Sequence, residues 1–338
     1  MPTWHGSRSR SGRTPAWAEG VRILVTGAGG FVGQHLIREL LAANHSVFGG
    51  TQDGASPAAG VLAAAEVERV CWLPMDVTSG ESVAAAVSRA HPDCVYHLAG
   101  QSSVALSFEH PLDTWEVNAT GTLHLVWALR EAQLCGARVL LASSSDVYGP
   151  VPEEEQPIRE ARPLNPTSPY AASKAAAEMV ARQASGSGGP AVVVARSFVH
   201  TGPGQDGRFA IPSFAHQLAG VRAGRCEPTL RVGNLAVRRD VLDVRDVVRA
   251  YVCLVGRGEA GEVYNVCSGE AHELRAMVEE MIELSGTGAR IEVDPERFRP
   301  VDLPLLVGDG SRLRALGWEP RIPLRRTLGD LLADAERR

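Results

Sequence analysis

The chain has 338 residues, 44% of them hydrophobic and 22% charged, with a formal net charge of −5. This is an ordinary soluble composition, with length for one large α/β domain or two modest ones. Acidic and basic residues are interspersed, which gives no electrostatic reason to expect nucleic acid or an anionic membrane, and no apolar run reaches the roughly 18 residues of a membrane span.

Residues 1–20 carry arginines, serines and scattered Gly and Pro without an apolar stretch, so a disordered leader is expected there, not a signal peptide. From Val21 the pattern becomes regular. Val21–Thr26 reads as a buried strand, Phe31–Ala43 as an amphipathic helix, Val47–Gly50 as a second strand and Cys71–Met75 as a third. A helix over Glu81–Ala90 precedes a strand at Cys94–Leu98. A long helix, roughly Asp113–Leu134, precedes another strand at Arg138–Ala142. Ser168-Pro169 supplies an N-cap and a first-turn residue for a helix running to about Gln183, and Ala191–Ala195 makes a sixth strand.

Repeated β-α-β units imply a Rossmann-type, doubly wound parallel sheet. Beyond residue 200 short strands (Leu230–Val232, Val241–Val244, Glu262–Val266, Arg290–Val293) alternate with helical pieces (Ile211–Ala219, Val247–Val255, Glu273–Leu284, Leu324–Ala335). The expected division is a dinucleotide-binding domain over 21–200 and a smaller mixed α/β lobe over 201–338, with some elements interleaved.

Six scattered cysteines contain no C-x-x-C pair, so buried thiols, a cytosolic compartment and no metal site are expected. A strand, then Gly27-x-x-Gly30-x-x-Gly33, then a helix is the setting in which a glycine turn binds a dinucleotide. Gly27 permits the turn, Gly30 lets backbone N–H groups approach a pyrophosphate, and Gly33 lets the helix pack closely. The second strand ends in Thr51-Gln52-Asp53, where Asp53 can reach a ribose or Thr51 and Gln52 can meet a 2′-phosphate. The reading inclines to NADPH over NADH. Asp76-Val77 is placed for the adenine, Leu98-Ala99-Gly100 for the cofactor to lie across, and Asn118 to brace the backbone near the site.

Tyr170 and Lys174 are four apart on one helix and so share a face. An ammonium beside a phenol favours its ionised form, and such a phenol can exchange a proton with an alcohol or ketone while a nicotinamide exchanges a hydride. Ser143-Ser144-Ser145-Asp146 follows the fifth strand, where a hydroxyl can hold the substrate oxygen.

Together with His97-Leu98-Ala99-Gly100-Gln101-Ser102, Val117-Asn118-Ala119-Thr120-Gly121-Thr122 and Ser-Ser-Ser-Asp-Val-Tyr-Gly at 143–149, these motifs resemble the extended short-chain dehydrogenase/reductase family of nucleotide-sugar enzymes, from Val21 to the C-terminus. The resemblance implies Ser144 as the catalytic hydroxyl, Tyr170 as acid/base, and Lys174 as the residue that binds the nicotinamide ribose. It implies cofactor contacts at Gly27, Gly30, Phe31, Val32, Gly33, Asp76, Val77, Leu98, Ala99, Gly100, Asn118 and His200.

The stretch from Arg196 to Gln205 looks like that of GDP-mannose-handling members, and the tail from Arg299 to Pro320 is similar to that of GDP-6-deoxy-D-mannose reductases. Gln101, Ser102, Ser145 and Val199 then fall at the substrate, with Arg208, Arg239 and Arg299 as candidates for its diphosphate. There are two departures: Val199 stands where the family usually has Asn, and Asp146 where the related 4,6-dehydratases have Glu as base. The implied activity is reduction of a nucleotide-linked 4-keto-6-deoxyhexose. The alternatives are a GDP-mannose 4,6-dehydratase or 4-epimerase, and a non-catalytic dinucleotide sensor. A homodimer built on the helices after strands four and five is common in the family.

Overall fold

The computed structural model describes residues 20–57, 60–298 and 303–338. Residues 1–19 of the expected leader, and Arg299, lie outside the described residues. The strands are β1 (Arg22–Thr26), β2 (Ser46–Thr51), β3 (Cys71–Pro74), β4 (Cys94–His97), β5 (Arg138–Ser144), β6 (Ala191–Ser197), β7 (Val199–Thr201), β8 (Thr229–Val232), β9 (Arg238–Asp243), β10 (Val263–Val266), β11 (Ala271–Glu273), β12 (Arg290–Val293) and β13 (Leu305–Leu306). Seven of them form an all-parallel sheet in the order β10-β6-β5-β4-β1-β2-β3. The order reverses at the β1/β4 boundary, the crevice where doubly wound sheets take their ligands.

Side-chain alternation builds the core. Ile23 and Val25 of β1 join Leu36, Ile37 and Leu40 of the Phe31–Ala42 helix and Val247, Tyr251 and Leu254 of the Val244–Arg257 helix. Leu24 faces the other way, among Val83, Val87, Leu125, Leu129, Val139 and Leu141. Burial on both faces is what parallel strands require. Strand β10 and the Val244–Arg257 helix return from the second half of the chain to this sheet, so the large layer is not closed at residue 200.

A separate cluster joins the helices Ala210–Arg222, Leu274–Ser285 and Leu324–Arg337 to the β8/β12 pair. Strand β9 pairs with β7, β11 and β13. Adjacent β6 and β7 therefore lie in different sheets, which carries the chain from the large sheet into the lobe.

The long helix expected over Asp113–Leu134 is divided. Val104–Glu109 and Pro111–Trp115 come first, then a π-turn over Glu116–Thr120, then Gly121–Glu131. Pro111, lacking an N–H, opens a new helix, and the inserted π-turn re-aims Asn118.

Candidate active site

The glycine turn forms the floor of the site. Gly27 has φ +64°, and a Cβ there would meet Ala99 N at 2.8 Å. The Gly30 N–H donates to Gly27 O at 3.0 Å, and a Cβ on Gly33 would sit 2.5 Å from that same oxygen. The Phe31–Ala42 helix has no side-chain cap, so the N–H groups of its first turn, from Phe31, Val32 and Gly33, are left for a ligand. This cradle suits a dinucleotide pyrophosphate. The Phe31 ring stacks on His200 (centroids 6.3 Å apart, 9° between planes) and meets His35 edge-on at 5.6 Å, while His35 Nε2 donates to Pro203 O at 2.8 Å. The turn is thereby tied to the segment after β7.

A chain of hydrogen bonds links the β1 and β4 ends to Asn118. Ala99 N–H donates to Thr26 Oγ1 at 3.0 Å, Thr26 Oγ1 lies 2.8 Å from His97 Nδ1, and His97 Nε2 lies 3.2 Å from Thr122 Oγ1. Thr122 in turn donates to Asn118 O at 2.7 Å. With its proton spent there, Thr122 must accept from His97 Nε2–H, and a neutral ring would take the Thr26 hydroxyl proton at Nδ1. Burial agrees, pushing His97 down to about 3.

Asn118 is buried. Its Oδ1 accepts Gln101 N–H at 2.9 Å, and its Nδ2 donates to Gln101 O at 3.1 Å and to Ser173 Oγ at 2.9 Å. Opposite it, Lys174 Nζ donates to Ala142 O at 3.0 Å. A Cβ on Gly100 would meet Asn118 Oδ1 at 2.9 Å and Lys174 Nζ at 3.1 Å. The strand end thus stays bare, with the amide and the ammonium on either side of it.

Ser168 caps the catalytic helix, its Oγ accepting Ala171 N–H at 3.1 Å, and Pro169 opens the Pro169–Gly186 span. Tyr170 and Lys174 are both buried on it. The Tyr170 phenol lies close enough to Ser144 to feel its hydroxyl, which brings together the hydroxyl and phenol expected from sequence. The expected lowering of the phenol by Lys174 is not what the structure shows. Burial raises Tyr170 above its ordinary value and the nearby Asp146 carboxylate adds to this, with the Ser144 hydrogen bond opposing. Lys174 Nζ is engaged at Ala142, and burial lowers its own ammonium to about 8.

The remaining sequence candidates separate into two groups. Asp76 sits after β3 with its Oδ1 taking Thr78 N–H at 2.9 Å and Thr78 Oγ1–H at 2.8 Å, which together with a Gln52 hydrogen bond keep it below its ordinary range. Val77 is buried against Gly121, and Leu98 packs on the apolar core. Asp53 turns back to its own loop, accepting Ala55 N–H at 3.0 Å, and Thr51 donates to Ala55 O at 2.9 Å.

On the substrate side, the Gln101 amide is spent on Ser103 O (2.9 Å) and Thr114 Oγ1 (3.0 Å), Ser102 is exposed, and Ser145 is buried. Val199 packs on the lobe cluster. Arg208 is exposed and paired with Asp206 at 3.1 Å, and Arg239 donates to Leu303 O at 2.6 Å. These two arginines are engaged by the protein itself. Glu178, one turn beyond Lys174, was not among the candidates; its i+4 spacing is the signal that points to it.

A doubly wound sheet with a glycine turn, a bridging Asn and a Ser/Tyr/Lys set at its C-terminal edge defines an NAD(P)-dependent enzyme of the short-chain dehydrogenase/reductase type. Residues 24–331 match the family model for GDP-mannose 4,6 dehydratase, and the chain belongs to that family. It is 38% identical over 322 residues to GDP-6-deoxy-D-mannose reductase of Pseudomonas aeruginosa, covering 94% of this chain and 98% of that protein. Its fold is similar to the structure of RMD from Pseudomonas aeruginosa complexed with NADPH (TM-score 0.81, 37% identity, 94% of this chain and 99% of that one). It is also similar to Thermus thermophilus UDP-glucose 4-epimerase in complex with NAD (TM-score 0.80, 30% identity, 93% and 98%). Among the described residues no helix is long and apolar enough to cross a membrane.

Proposed function

We propose that the protein reduces a nucleotide-linked 4-keto-6-deoxyhexose, GDP-4-keto-6-deoxy-D-mannose in the first instance, to the 4-hydroxy sugar, using NADPH. The observation that carries this is a buried phenol kept protonated beside Ser144, on a chain alike to a GDP-6-deoxy-D-mannose reductase over nearly its whole length. A protonated Tyr170 is ready to donate to a ketone oxygen, the direction that reduction needs. The nicotinamide supplies the hydride when bound. Ser144 polarises the ketone, Tyr170 delivers the proton, Lys174 holds the ribose and Asn118 keeps the strand end in place. NADPH is favoured over NADH because Asp53, the acid closest to the β2 end, is turned into its own loop.

The assay is consumption of reduced cofactor with GDP-4-keto-6-deoxymannose, alongside UDP-, dTDP- and CDP-linked 4-keto sugars. No consumption with any of them refutes the reading. A dehydratase or epimerase, for which the Asp146 carboxylate speaks, would instead turn over GDP-mannose without added cofactor.

We also place the protein in the cytosol as a homodimer. Its six thiols are free. Phe108, Leu112, Trp115, Leu123, Trp127 and Met179 expose large apolar side chains on contiguous helices after β4 and β5. Light scattering should give twice the monomer mass, with Leu112→Glu/Trp127→Glu reverting to monomer; a monomeric wild type rejects the dimer.

A further inference from the structure

Glu178 is 1% exposed, and the reaction described above gives it no task. A buried carboxylate persists only when its charge is met. Here Arg196 of β6, 3% exposed, donates Nη2 to Oε2 at 2.7 Å and Nε to Oε1 at 3.0 Å. The guanidinium is itself fixed: Nη1 donates to the Tyr148 hydroxyl at 3.1 Å and to Glu160 O at 3.2 Å, and Tyr148 donates onward to Asn265 Oδ1 at 2.7 Å.

Glu178 Oε1 also accepts the hydroxyl of Ser143. Ser143 stands between two residues of the proton-transfer centre. Ala142 on one side presents the carbonyl that takes Lys174 Nζ, and Ser144 on the other carries the hydroxyl that stands beside Tyr170. The Glu178–Ser143 bond therefore joins the catalytic helix to β5 at the point where all three functional groups depend on their mutual placement.

We propose that Glu178 is a positioning residue: anchored by Arg196, it grips Ser143 so that Ser144 and the Ala142 carbonyl meet Tyr170 and Lys174, and it sets a negative charge one helical turn from the Lys174 ammonium. This rests on Tyr170 and Lys174 being the proton-transfer centre, not on which ketone is reduced. The charge has work to do because Lys174 is buried with a neutral carbonyl as its hydrogen-bond partner. Burial drives it toward the amine, and Glu178 acts against that. The other charged or titratable groups around the centre are His97 of β4, held neutral, Tyr170 on the same helix, Asp146 after β5, Tyr251 of the Val244–Arg257 helix, whose hydroxyl is paired with Ser197, and Arg196, whose charge Glu178 offsets.

Lys174 is the sole lysine in the chain, so protein labelled with 13C at the lysine Cε gives one side-chain signal that titrates with this ammonium alone. In the cofactor-free protein, Glu178→Gln is expected to lower the midpoint by about one pH unit or more. Glu178→Gln/Arg196→Met, which leaves no unpaired guanidinium in the core and so protects folding, should lower it as well but by less, because the opposing charge of Arg196 is removed with the carboxylate. In turnover assays the alkaline limb of kcat against pH should move acidward with the midpoint, and Glu178→Asp should restore part of the shift. An unmoved midpoint in the double variant overturns the proposal. So does a fall in kcat that is uniform across pH, since that is what a merely structural role produces. If the wild type reduces no 4-keto sugar, the function proposed above fails, while the titration of the free protein still decides the role of Glu178.

Discussion

Gly33→Ala separates the packing role of the glycine turn from its conformational role. Gly33 lies inside the Phe31–Ala42 helix, where alanine is a better helix former than glycine, so propensity alone predicts a gain of about 1 kcal/mol. The space predicts the reverse. A Cβ would lie 2.5 Å from Gly27 O and 2.8 Å from Ala28 O, both backbone atoms that cannot rotate away. The helix N-terminus must lift off the turn, and forced overpacking of this kind costs about 1–3 kcal/mol. Because the same movement withdraws the first-turn N–H groups from the pyrophosphate position, NADPH affinity should fall about tenfold or more, equivalent to ~1.4 kcal/mol. Gly29→Ala is the control, since its Cβ would meet only the Thr51 methyl, at 3.3 Å. Fluorescence titration with NADPH and thermal unfolding of both variants give the two readouts. Gly33→Ala binding NADPH as the wild type does, with an unchanged or raised Tm, would refute the reasoning.

Tyr170→Phe removes the proton donor and should cut turnover by about 10²–10⁴ while NADPH binding, read by fluorescence, is unchanged; equal turnover rejects Tyr170 as acid. Lys174→Arg keeps the positive charge but should still weaken both turnover and NADPH binding, because a planar guanidinium does not fit between Gly100, Asn118 and the Ala142 carbonyl; near-normal NADPH affinity counts against that fit. His97 is neutral in the fold but ionises near 6.5 when unfolded, so the unfolded state binds the extra proton and stability falls as pH drops from about 6.5 toward the folded value of about 3. Its contribution is about 1 kcal/mol per pH unit in that window, and urea unfolding of His97→Asn should show a shallower acid decline than the wild type, while an equal decline excludes His97 as the source.

Period and punctuation made the sheet legible. Alternating apolar runs bounded by Gly, Pro and Asp located β1 to β6 to within two residues, because parallel strands buried on both faces leave a strong local mark. The division of the 111–131 helices left no such mark. Its π-turn is set by where the Asn118 amide ends up, and that amide joins Gln101 to Ser173 across distant parts of the chain. The same limit applies to side-chain roles. Spacing put Tyr170 and Lys174 on one face, but only burial shows that the phenol is pushed up and the ammonium down. Arg208 and Arg239 are candidates by charge, and each also makes a contact within the protein, to Asp206 or to Leu303 O, that charge alone does not reveal.

The chain uses 33 arginines and one lysine. Away from the site that preference follows from geometry: Arg245 reaches both Asp243 and Asp330, and Arg325 both Glu280 and Glu283, bridges that a planar five-donor fork makes well. The site asks for something else. Its cation must be buried, give one hydrogen bond to a strand carbonyl beside a glycine, and, in the function proposed above, keep its other N–H donors for a ribose. A compact ammonium does this, at the cost of a charge that burial readily strips away. Arginine is the one cation whose charge would survive without help, and it is placed instead behind the centre, holding the carboxylate that keeps the lysine charged. Arg196, Glu178 and Lys174 thus divide between them two demands that no single side chain meets: a cation small enough for the site and an environment that leaves it ionised.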